Sequence, residues 1–266
     1  MKKQTIHSIQ KLKETNQAIT VLTAYDSSFS KLVSECGIEV ILIGDSLGMV
    51  IQGHQSTVPV TMENMVYHTQ CVAKTNVGSL LIADMPYMSY ATEEQTLHNA
   101  TLLMQAGANM VKVEGGEWLA SSIKKLTERG IPVCAHLGLT PQSVDALGGY
   151  KVQGKSETNA KKIIDDALAI ERAGAKLLVL ECVPSSLAKK ITQQLTIPTI
   201  GIGAGNQTDG QVLVLQDMLG LNTDFKPKFV KNFFDEDNVT SVQDAIKAYI
   251  NAVKDRSFPS NEYSFQ

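Results

Sequence analysis

The feature that most constrains the fold is a regular alternation of short apolar runs with longer segments of helical spacing. Seven runs of about five residues, the commonest strand length, occur in order: AITVLTAY, EVILIGD, SLLIADMP, NMVKVEGG, IPVCAHLG, KLLVLEC and IPTIGIGAG. An eighth strand would lie near DMLGLN, where the pattern is weak. Strands that alternate with helices pair in parallel, because parallel neighbours need a crossover connection. The pattern therefore predicts an α/β fold with a parallel sheet.

The number of these units decides how the sheet is arranged. Eight units would close into a (β/α)8 barrel, while six or seven would form an open doubly wound sheet. A barrel of this type usually has about 250 residues, and this chain has 266 residues with 43% hydrophobic content. The length suits one large domain, and both arrangements stay open at this point.

Two segments of the chain repeat one another and both end in an acid. AGANMVKVE, residues 106–114, and AGAKLLVLE, residues 173–181, share a helix-ending AGA, a short strand and a glutamate, and CGIEVILIGD is a looser third copy. The shared AGA is explained by a pattern common to β/α units, in which a glycine ends the helix before an apolar strand. That common pattern does not explain the glutamate at the end of each repeat.

Composition and charge exclude several classes of partner. The net charge is −3, and the 24 basic residues are scattered rather than gathered in a stripe, which argues against nucleic acid and against an anionic membrane surface. No segment approaches the roughly 18 consecutive apolar residues of a membrane span, and the basic N-terminal segment is not followed by an apolar core. We therefore expect a cytoplasmic protein with a small-molecule partner.

Polar residues recur at the carboxyl ends of the predicted strands, where both candidate folds bind their ligands. Strand side chains alternate between two faces, so Lys112 and Glu114 share one face. The polar residues at these ends are Asp45, Ser46, Asp84, Lys112, Glu114, His136 and Glu181.

Several acids that converge on one pocket need a compensating cation, because an isolated buried carboxylate is very costly. The cysteines lie far apart without a CxxC pair and the histidines do not cluster, so zinc and a disulfide framework are disfavoured. Oxygen ligands favour a hard ion, Mg2+ first and Mn2+ close behind. We expect the single positive charge of Lys112 to be too small to compensate the negative charges of these acids.

Each of these residues also has an ordinary structural interpretation. Asp45 precedes a glycine-containing turn and could be a helix N-cap or a turn residue. Lys112 could form a purely structural ion pair with Glu114 or Glu181, and His136 could be a core histidine with satisfied hydrogen bonds. The functional interpretation is favoured because polar groups recur at the same end of several strands.

Two glycine-rich segments allow less specific conclusions. GIGAG, residues 201–205, lacks the third glycine of a dinucleotide loop, and it is better interpreted as a tight turn after a strand. GGYKVQGKSE, residues 148–157, is either a lid over the mouth of the site or an ordinary surface loop.

Longer motifs, taken in order, resemble the ketopantoate hydroxymethyltransferase family. The motifs are TAYD, GDSLGMVIQGH, VPVT, YHT, AGANMVKVEGGEW, PVCAHLGLTPQSV, GGYKVQG, LLVLECVP and GIGAGNQTDGQ. The resemblance runs from about Thr20 to the KFVKNF segment. It implies a single (β/α)8 TIM barrel, here over residues 1–266 with an N-terminal extension of about 1–18 and a C-terminal tail of about 253–266. It also implies a homodecamer, Mg2+, and one-carbon transfer from 5,10-methylenetetrahydrofolate to 3-methyl-2-oxobutanoate in pantothenate synthesis.

The resemblance also implies roles for the polar residues at the strand ends. Asp45 and Asp84 match metal-binding and substrate-binding aspartates, and Glu114 matches a third metal-site acid. The substrate contacts are Ser46, Lys112 and His136. Glu181 matches the proton acceptor of the reaction.

This assignment agrees with the chemistry that the reaction needs. A proton must leave C3 of the 2-oxoacid, and a magnesium ion at the carboxylate and keto oxygens would stabilise the enolate. A Schiff base through Lys112 is the rival chemistry, and the surplus of acids favours the metal. Two other functions stay in view: a magnesium-dependent carbon–carbon lyase acting on a 2-oxoacid, and a non-catalytic barrel that binds a small anion.

Overall fold

The chain forms a closed parallel barrel of eight strands in sequential order, seen in a computed structural model that describes residues 3–222 and 226–266. The strands are β1 Ile19–Thr23, β2 Val40–Ile43, β3 Leu80–Asp84, β4 Met110–Glu114, β5 Val133–Gly138, β6 Leu177–Glu181, β7 Thr199–Ile202 and β8 Gly210–Leu213. Each of the seven predicted runs contains its strand, so those strand predictions and the (β/α)8 barrel are confirmed, and the open sheet is excluded.

Helices surround the barrel. Within the described residues they are α1 Ile6–Glu14, α2 Ser27–Cys36, α3 Leu47–Val50, α4 Met62–Ala73, α5 Glu93–Gln105, α6 Ala120–Glu128, α7 Val144–Leu147, α8 Glu157–Arg172, α9 Ser185–Gln194, α10 Leu215–Met218 and α11 Val242–Lys254. Short 3-10 turns lie at Glu117–Leu119, Pro141–Ser143 and Asn261–Tyr263. In this part of the chain, no helix combines the length and the apolar character that crossing a bilayer requires.

The position expected for the eighth strand was wrong. DMLGLN lies at the end of α10 and just beyond it, and the strand itself, GQVL, lies upstream at Gly210–Leu213. This strand has only four residues and opens with glycine, so it has no apolar run of the expected length. The glycine has a steric reason, because a Cβ at Gly210 would lie 2.4 Å from the carbonyl oxygen of Ile19. The closest approach of β8 to β1, which closes the barrel, therefore needs a residue without a side chain.

The core has two layers separated by the barrel wall. The interior layer contains inward side chains of alternate strand positions, for example Val40 and Leu42 on β2 and Leu80 and Ile82 on β3. The outer layer contains the outward strand positions, such as Ile41 and Leu81, packed under the helices. Strand residues that are buried on both faces of a sheet form continuous apolar runs, which is why the strands were recognisable in the sequence.

The two ends of the chain pack against the barrel. Ile9 of α1 is buried against the interior layer at the amino end of the strands. Tyr249 of α11 donates a hydrogen bond to the carbonyl oxygen of Val21 at 2.9 Å. Beyond α11, Phe258 is buried, and the carbonyl oxygen of Phe265 accepts a hydrogen bond from the backbone N–H of Ser185 at 2.9 Å. The residues at both ends therefore contribute contacts to the barrel.

Candidate active site

Alternation along the strands brings the polar side chains to one place, the carboxyl mouth of the barrel. On β3 the inward positions Leu80 and Ile82 lead to Asp84. On β4 the inward position Met110 is followed by Lys112 and Glu114, each two residues further along. The same rule places His136 on β5 and Glu181 on β6. The inward face is apolar deep in the barrel and polar at its mouth.

Strand register decides which of these groups touch. Asp84 is the register partner of Lys112, and Glu114 is the partner of His136. Lys112 Nζ lies 2.8 Å from Asp84 Oδ1 and 3.5 Å from Glu114 Oε1. His136 Nδ1 lies 3.2 Å from Glu114 Oε1, and its Nε2 lies 3.3 Å from Glu181 Oε2. The result is a chain of alternating charges that runs across four neighbouring strands.

Asp45 and Ser46 enter the site from the loop after β2. The backbone N–H of Asp45 donates to Asp84 Oδ2 at 3.1 Å. Ser46 Oγ lies 2.9 Å from the hydroxyl oxygen of Tyr25. Gly44 permits this sharp turn, because a Cβ there would lie 2.8 Å from Ser46 Oγ. The two carboxylates, on neighbouring strand ends, are therefore linked through the backbone of the turn.

A cavity opens above these groups. Its empty volume is about 740 Å3, which includes open space at the entrance. The polar lining includes every residue that the sequence predicted for the site: Asp45, Ser46, Asp84, Lys112, Glu114, His136 and Glu181. Its apolar lining includes Leu42, Val179, Ile202, Val212 and Phe229. The cavity combines a strongly charged side with an apolar side, which suits a small molecule with both a polar and a hydrocarbon part.

The charges in the site are unequally compensated. Burial alone would lower the pKa of Lys112, but the charges of Asp84, Glu114 and Asp45 outweigh burial and raise this pKa well above its usual range. Burial likewise opposes charging of His136, but Glu114 raises the pKa of His136 to about 9. Both side chains are therefore cations at neutral pH.

The pKa values of Glu114 and Asp45 are shifted in opposite directions. Burial would raise the pKa of Glu114, yet the charges of His136 and Lys112 outweigh it and lower this pKa. Burial, followed by the charges of Asp84 and Glu114, raises the pKa of Asp45 well above its usual range. Glu114 therefore lies against both cations, and Asp45 is poorly compensated.

Two buried carboxylate oxygens at the mouth of the cavity could bind a divalent cation. Asp84 Oδ1 and Glu114 Oε1 are buried, and beyond their ion-pair neighbours they lack a hydrogen bond of good geometry. Hard oxygen donors with spare lone pairs and too little positive charge fit Mg2+. Among the described residues, no three acid, histidine or cysteine side chains are already arranged around a metal position. Mg2+ commonly uses one or two carboxylates plus substrate and water, so the acids at the mouth of the cavity fit a site of this kind.

Sequence reasoning missed several residues in or beside the cavity, among them Tyr25, Tyr150 and Gln142. Tyr25 lies two residues beyond the end of β1, so the rule of polar residues at strand ends would have found it. Tyr150 lines the cavity, and its hydroxyl lies 3.7 Å from Met49 Sδ across the mouth. Gln142 lies in the turn after β5 and contacts Asp45, and no periodicity marks it. The Tyr150 contact places part of the glycine-rich loop, residues 148–157, beside the cavity; the two interpretations of this loop, a lid or an ordinary surface loop, both stay open.

The fold and the site together define a (β/α)8-barrel enzyme with an acid-rich pocket for a small molecule. Solved structures with a similar fold include a phosphonopyruvate hydrolase, with a TM-score of 0.63 at 14% identity over 83% of this chain and 84% of that chain. A 2,3-dimethylmalate lyase of the PEP mutase/isocitrate lyase superfamily has a TM-score of 0.57 at 13% identity, over 92% and 94% of the two chains. At such identities these likenesses concern the fold alone.

Sequence relatives identify the family. The model of the family described as ketopantoate hydroxymethyltransferase matches residues 3–261. The 3-methyl-2-oxobutanoate hydroxymethyltransferase of Shewanella loihica is 58% identical over 265 residues, covering 100% of both chains. The enzyme of the same name from Marinobacter nauticus is 57% identical over 262 residues, covering 98% of each. This chain belongs to the ketopantoate hydroxymethyltransferase family, and it is an enzyme of the transferase class.

Proposed function

We propose that this enzyme transfers a hydroxymethyl group from 5,10-methylenetetrahydrofolate to 3-methyl-2-oxobutanoate and produces ketopantoate, with Mg2+ as its cofactor, in cytoplasmic pantothenate synthesis. The observation that carries the proposal is the surplus of buried acids around Lys112 and His136 at the mouth of the cavity. Such a site matches a 2-oxoacid whose oxygens share a cation with the protein. One water enters overall, its oxygen becomes the new hydroxyl group, and tetrahydrofolate leaves.

The two sides of the cavity suit the two ends of the proposed substrate. The carboxylate and keto oxygens would lie beside Lys112 and Ser46, where the lysine contributes positive charge in a poorly solvated pocket. The branched hydrocarbon end would lie against apolar residues such as Leu42, Val179 and Val212. This orientation turns the substrate oxygens towards Lys112 and the methyl groups on C3 towards the apolar side.

Asp45 and Asp84 are the residues that would hold Mg2+, with Glu114 as the third acid of the site. When bound, the ion supplies positive charge to the substrate oxygens as the proton leaves C3. Glu114 is also engaged by Lys112, His136 and the backbone N–H of Gln142. We therefore assign Glu114 as the weaker metal ligand, whose main role is to bind the Lys112 and His136 cations.

Glu181 is the proposed base. It lines the cavity, its side chain is 12% exposed, and His136 Nε2 lies 3.3 Å from its Oε2. The carboxylate would take the proton from C3, and the electron pair of the broken C–H bond would move towards the keto oxygen. The His136 cation would orient Glu181 through one oxygen and leave the other oxygen for the proton.

A Schiff base through Lys112 is disfavoured by its surroundings. A lysine must lose its proton before it attacks a carbonyl carbon. Asp84 and Glu114 hold the Lys112 ammonium group and raise its pKa. The charged lysine suits electrostatic stabilisation of substrate oxygens better than nucleophilic attack.

The assembly implied by the family resemblance is a homodecamer, and we keep it as part of the proposal. Large apolar side chains exposed on the isolated chain, including Tyr67, Met88 and Trp118, are compatible with contacts between copies. The molar mass in solution, measured by light scattering during size exclusion, tests this directly. A mass near ten chains of 28.9 kDa is expected, and a monomer would refute it.

The proposed chemistry is tested by NMR detection of hydrogen–deuterium exchange at C3 of 3-methyl-2-oxobutanoate in D2O. Exchange is expected with the purified protein, Mg2+ and tetrahydrofolate, and its loss is expected in Glu181→Gln while the 2-oxoacid still binds. Asp45→Asn and Asp84→Asn are expected to weaken Mg2+ binding and exchange together. Glu128→Gln and Asp165→Asn, which change exposed carboxylates on α6 and α8 that do not line the cavity, are the matched controls.

The outcomes separate the competing functions. Exchange followed by ketopantoate formation with 5,10-methylenetetrahydrofolate supports the proposal. Cleavage of a carbon–carbon bond in a 2-oxoacid without folate would identify a lyase instead. Binding of the 2-oxoacid with no exchange under any of these conditions would leave a non-catalytic barrel and refute the assignment of Glu181.

A further inference from the structure

We propose that Gln142 is a positioning residue that orients Asp45 for cation binding, and that Tyr90 sets the direction of the Gln142 amide. This inference rests on the proposed function, because it assumes that Asp45 and Asp84 hold a cation. Gln142 lies in the 3-10 turn Pro141–Ser143, after the end of β5, and is only 5% exposed. Gln142 is therefore expected to affect cation binding indirectly, through its contact with Asp45.

Gln142 forms hydrogen bonds with residues at or just beyond the ends of three strands. Its Nε2 donates to Asp45 Oδ2 at 2.8 Å and to the carbonyl oxygen of Met85 at 2.9 Å. Its backbone N–H donates to Glu114 Oε2 at 3.1 Å. Asp45, Met85 and Glu114 follow or end β2, β3 and β4. One residue from a distant turn thus contacts both a principal proposed metal ligand and the third acid.

The direction of the Gln142 amide follows from the hydrogen-bond inventory. Tyr90 Oη accepts from the backbone N–H of Glu114 at 3.3 Å. Its hydroxyl proton has two acceptors within reach, and Gln142 Oε1 is nearer than the Glu114 carbonyl oxygen at 3.4 Å. With the carbonyl oxygen held by Tyr90, both amide hydrogens face Asp45 and Met85. The reversed amide would bring its oxygen against the Asp45 carboxylate and the Met85 carbonyl, where all three groups are acceptors. The Gln142 amide is therefore directed with its oxygen towards Tyr90 and its hydrogens towards Asp45 and Met85.

Asp45 needs such support more than Asp84 does. Asp84 is the last residue of β3 and is held by Lys112 and by the backbone N–H of Asp45. Asp45 lies beyond the end of β2, and the turn rather than a strand ladder holds its backbone, whose carbonyl oxygen accepts from the N–H of Gly48 at 3.0 Å. Among the hydrogen bonds of residues 3–222 and 226–266, its side chain is held through Oδ2 by Gln142. With Oδ2 fixed, the other carboxylate oxygen is presented to the cavity at a smaller loss of side-chain entropy.

The experiment measures Mg2+ affinity in the metal-free protein by isothermal titration calorimetry, without substrate. Gln142→Met keeps the length of the side chain and removes its amide, and we expect the dissociation constant for Mg2+ to rise by about 10- to 100-fold. Tyr90→Phe keeps the ring, which stacks on Trp118, and removes one hydroxyl; a rise of about five-fold is expected. Proton exchange at C3 should return in both variants at saturating Mg2+, because the base is intact.

Matched controls lie in the same barrel. Gln211→Met removes another buried amide, which donates to the Gly205 carbonyl at 3.0 Å and to Thr208 Oγ1 at 2.9 Å. Tyr249→Phe removes another buried tyrosine hydroxyl. Both controls are expected to lower the melting temperature and to leave the Mg2+ dissociation constant unchanged. A merely structural role for Gln142 predicts the same behaviour for Gln142→Met.

Each outcome decides the inference. Folded Gln142→Met and Tyr90→Phe proteins whose Mg2+ dissociation constants stay within about two-fold of the unsubstituted protein would overturn it. If Gln142→Met does not fold, Tyr90→Phe decides alone by the same criterion. Asp84→Asn separates this failure from that of the proposed function. If it binds Mg2+ as well as the unsubstituted protein does, or if neither binds Mg2+ even when 3-methyl-2-oxobutanoate is added, the metal assignment fails and this inference fails with it.

Discussion

Lys112 gives the sharpest energetic test of the site. The substitution Lys112→Met keeps the unbranched stem and removes the charge that lies 2.8 Å from Asp84 and 3.5 Å from Glu114. With an effective dielectric constant of about 20, these distances correspond to about 6 and about 5 kcal/mol of Coulomb attraction. Desolvation of the buried ammonium group offsets much of this sum, and breaking a buried pair by removing one partner typically costs about 3–5 kcal/mol. We expect a loss of that size in the free energy of unfolding.

The assay is urea unfolding of the metal-free protein at neutral pH, with a chelator present. Added Mg2+ should recover part of the loss, because the ion replaces positive charge beside Asp84. Lys161→Met removes an exposed lysine paired with Asp165 on α8, and only a small fraction of the loss is expected there because water screens the pair. A loss below about 1 kcal/mol for Lys112→Met would refute the view that this lysine compensates buried, ionised acids.

Two further predictions concern pH and barrel closure. The pKa of His136 is raised to about 9, so its charge contributes stability that is full below pH 6.5 or so, the ordinary histidine value, and that is lost as pH rises through about 9. Unfolding free energies of the metal-free protein should fall by about 3 kcal/mol over that window; a His136→Gln variant should remove this part of the fall, and an identical profile would contradict the assignment. Gly210→Ala should destabilise the barrel by about 1–3 kcal/mol, because the new Cβ would meet the Ile19 carbonyl oxygen at 2.4 Å. Thermal melting measures this effect, and an unchanged melting temperature would show that β1 and β8 separate at little cost.

The site was predictable to the extent that it follows strand periodicity. Asp84, Lys112, Glu114, His136 and Glu181 occupy inward positions at strand ends, and a period of two residues reaches them from the apolar positions below. The structure places all five around one cavity. Their proposed roles as metal ligands, substrate contacts and base came from the resemblance and are open to the experiments above.

The contact between Gln142 and Asp45 could not be predicted from local sequence patterns. Gln142 lies in a turn that has no apolar period, and its significance comes from a contact with Asp45, 97 residues earlier in the chain. Hydrogen bonds between residues so far apart depend on how the turns after neighbouring strands fold over the mouth. No local preference of the segment PQS carries that information.

The sequence by itself determined the alternation of strands and helices, the direction of strand pairing and the set of polar groups at the strand ends, because backbone periodicity and burial act over a few residues. Only the tertiary structure decided that the sheet closes, through the pairing of β1 with β8 and the missing side chain at Gly210. Only the structure decided that Glu114 lies against both cations while Asp45 is held by Gln142. These choices depend on register and turn geometry between distant segments, and long-range packing sets both.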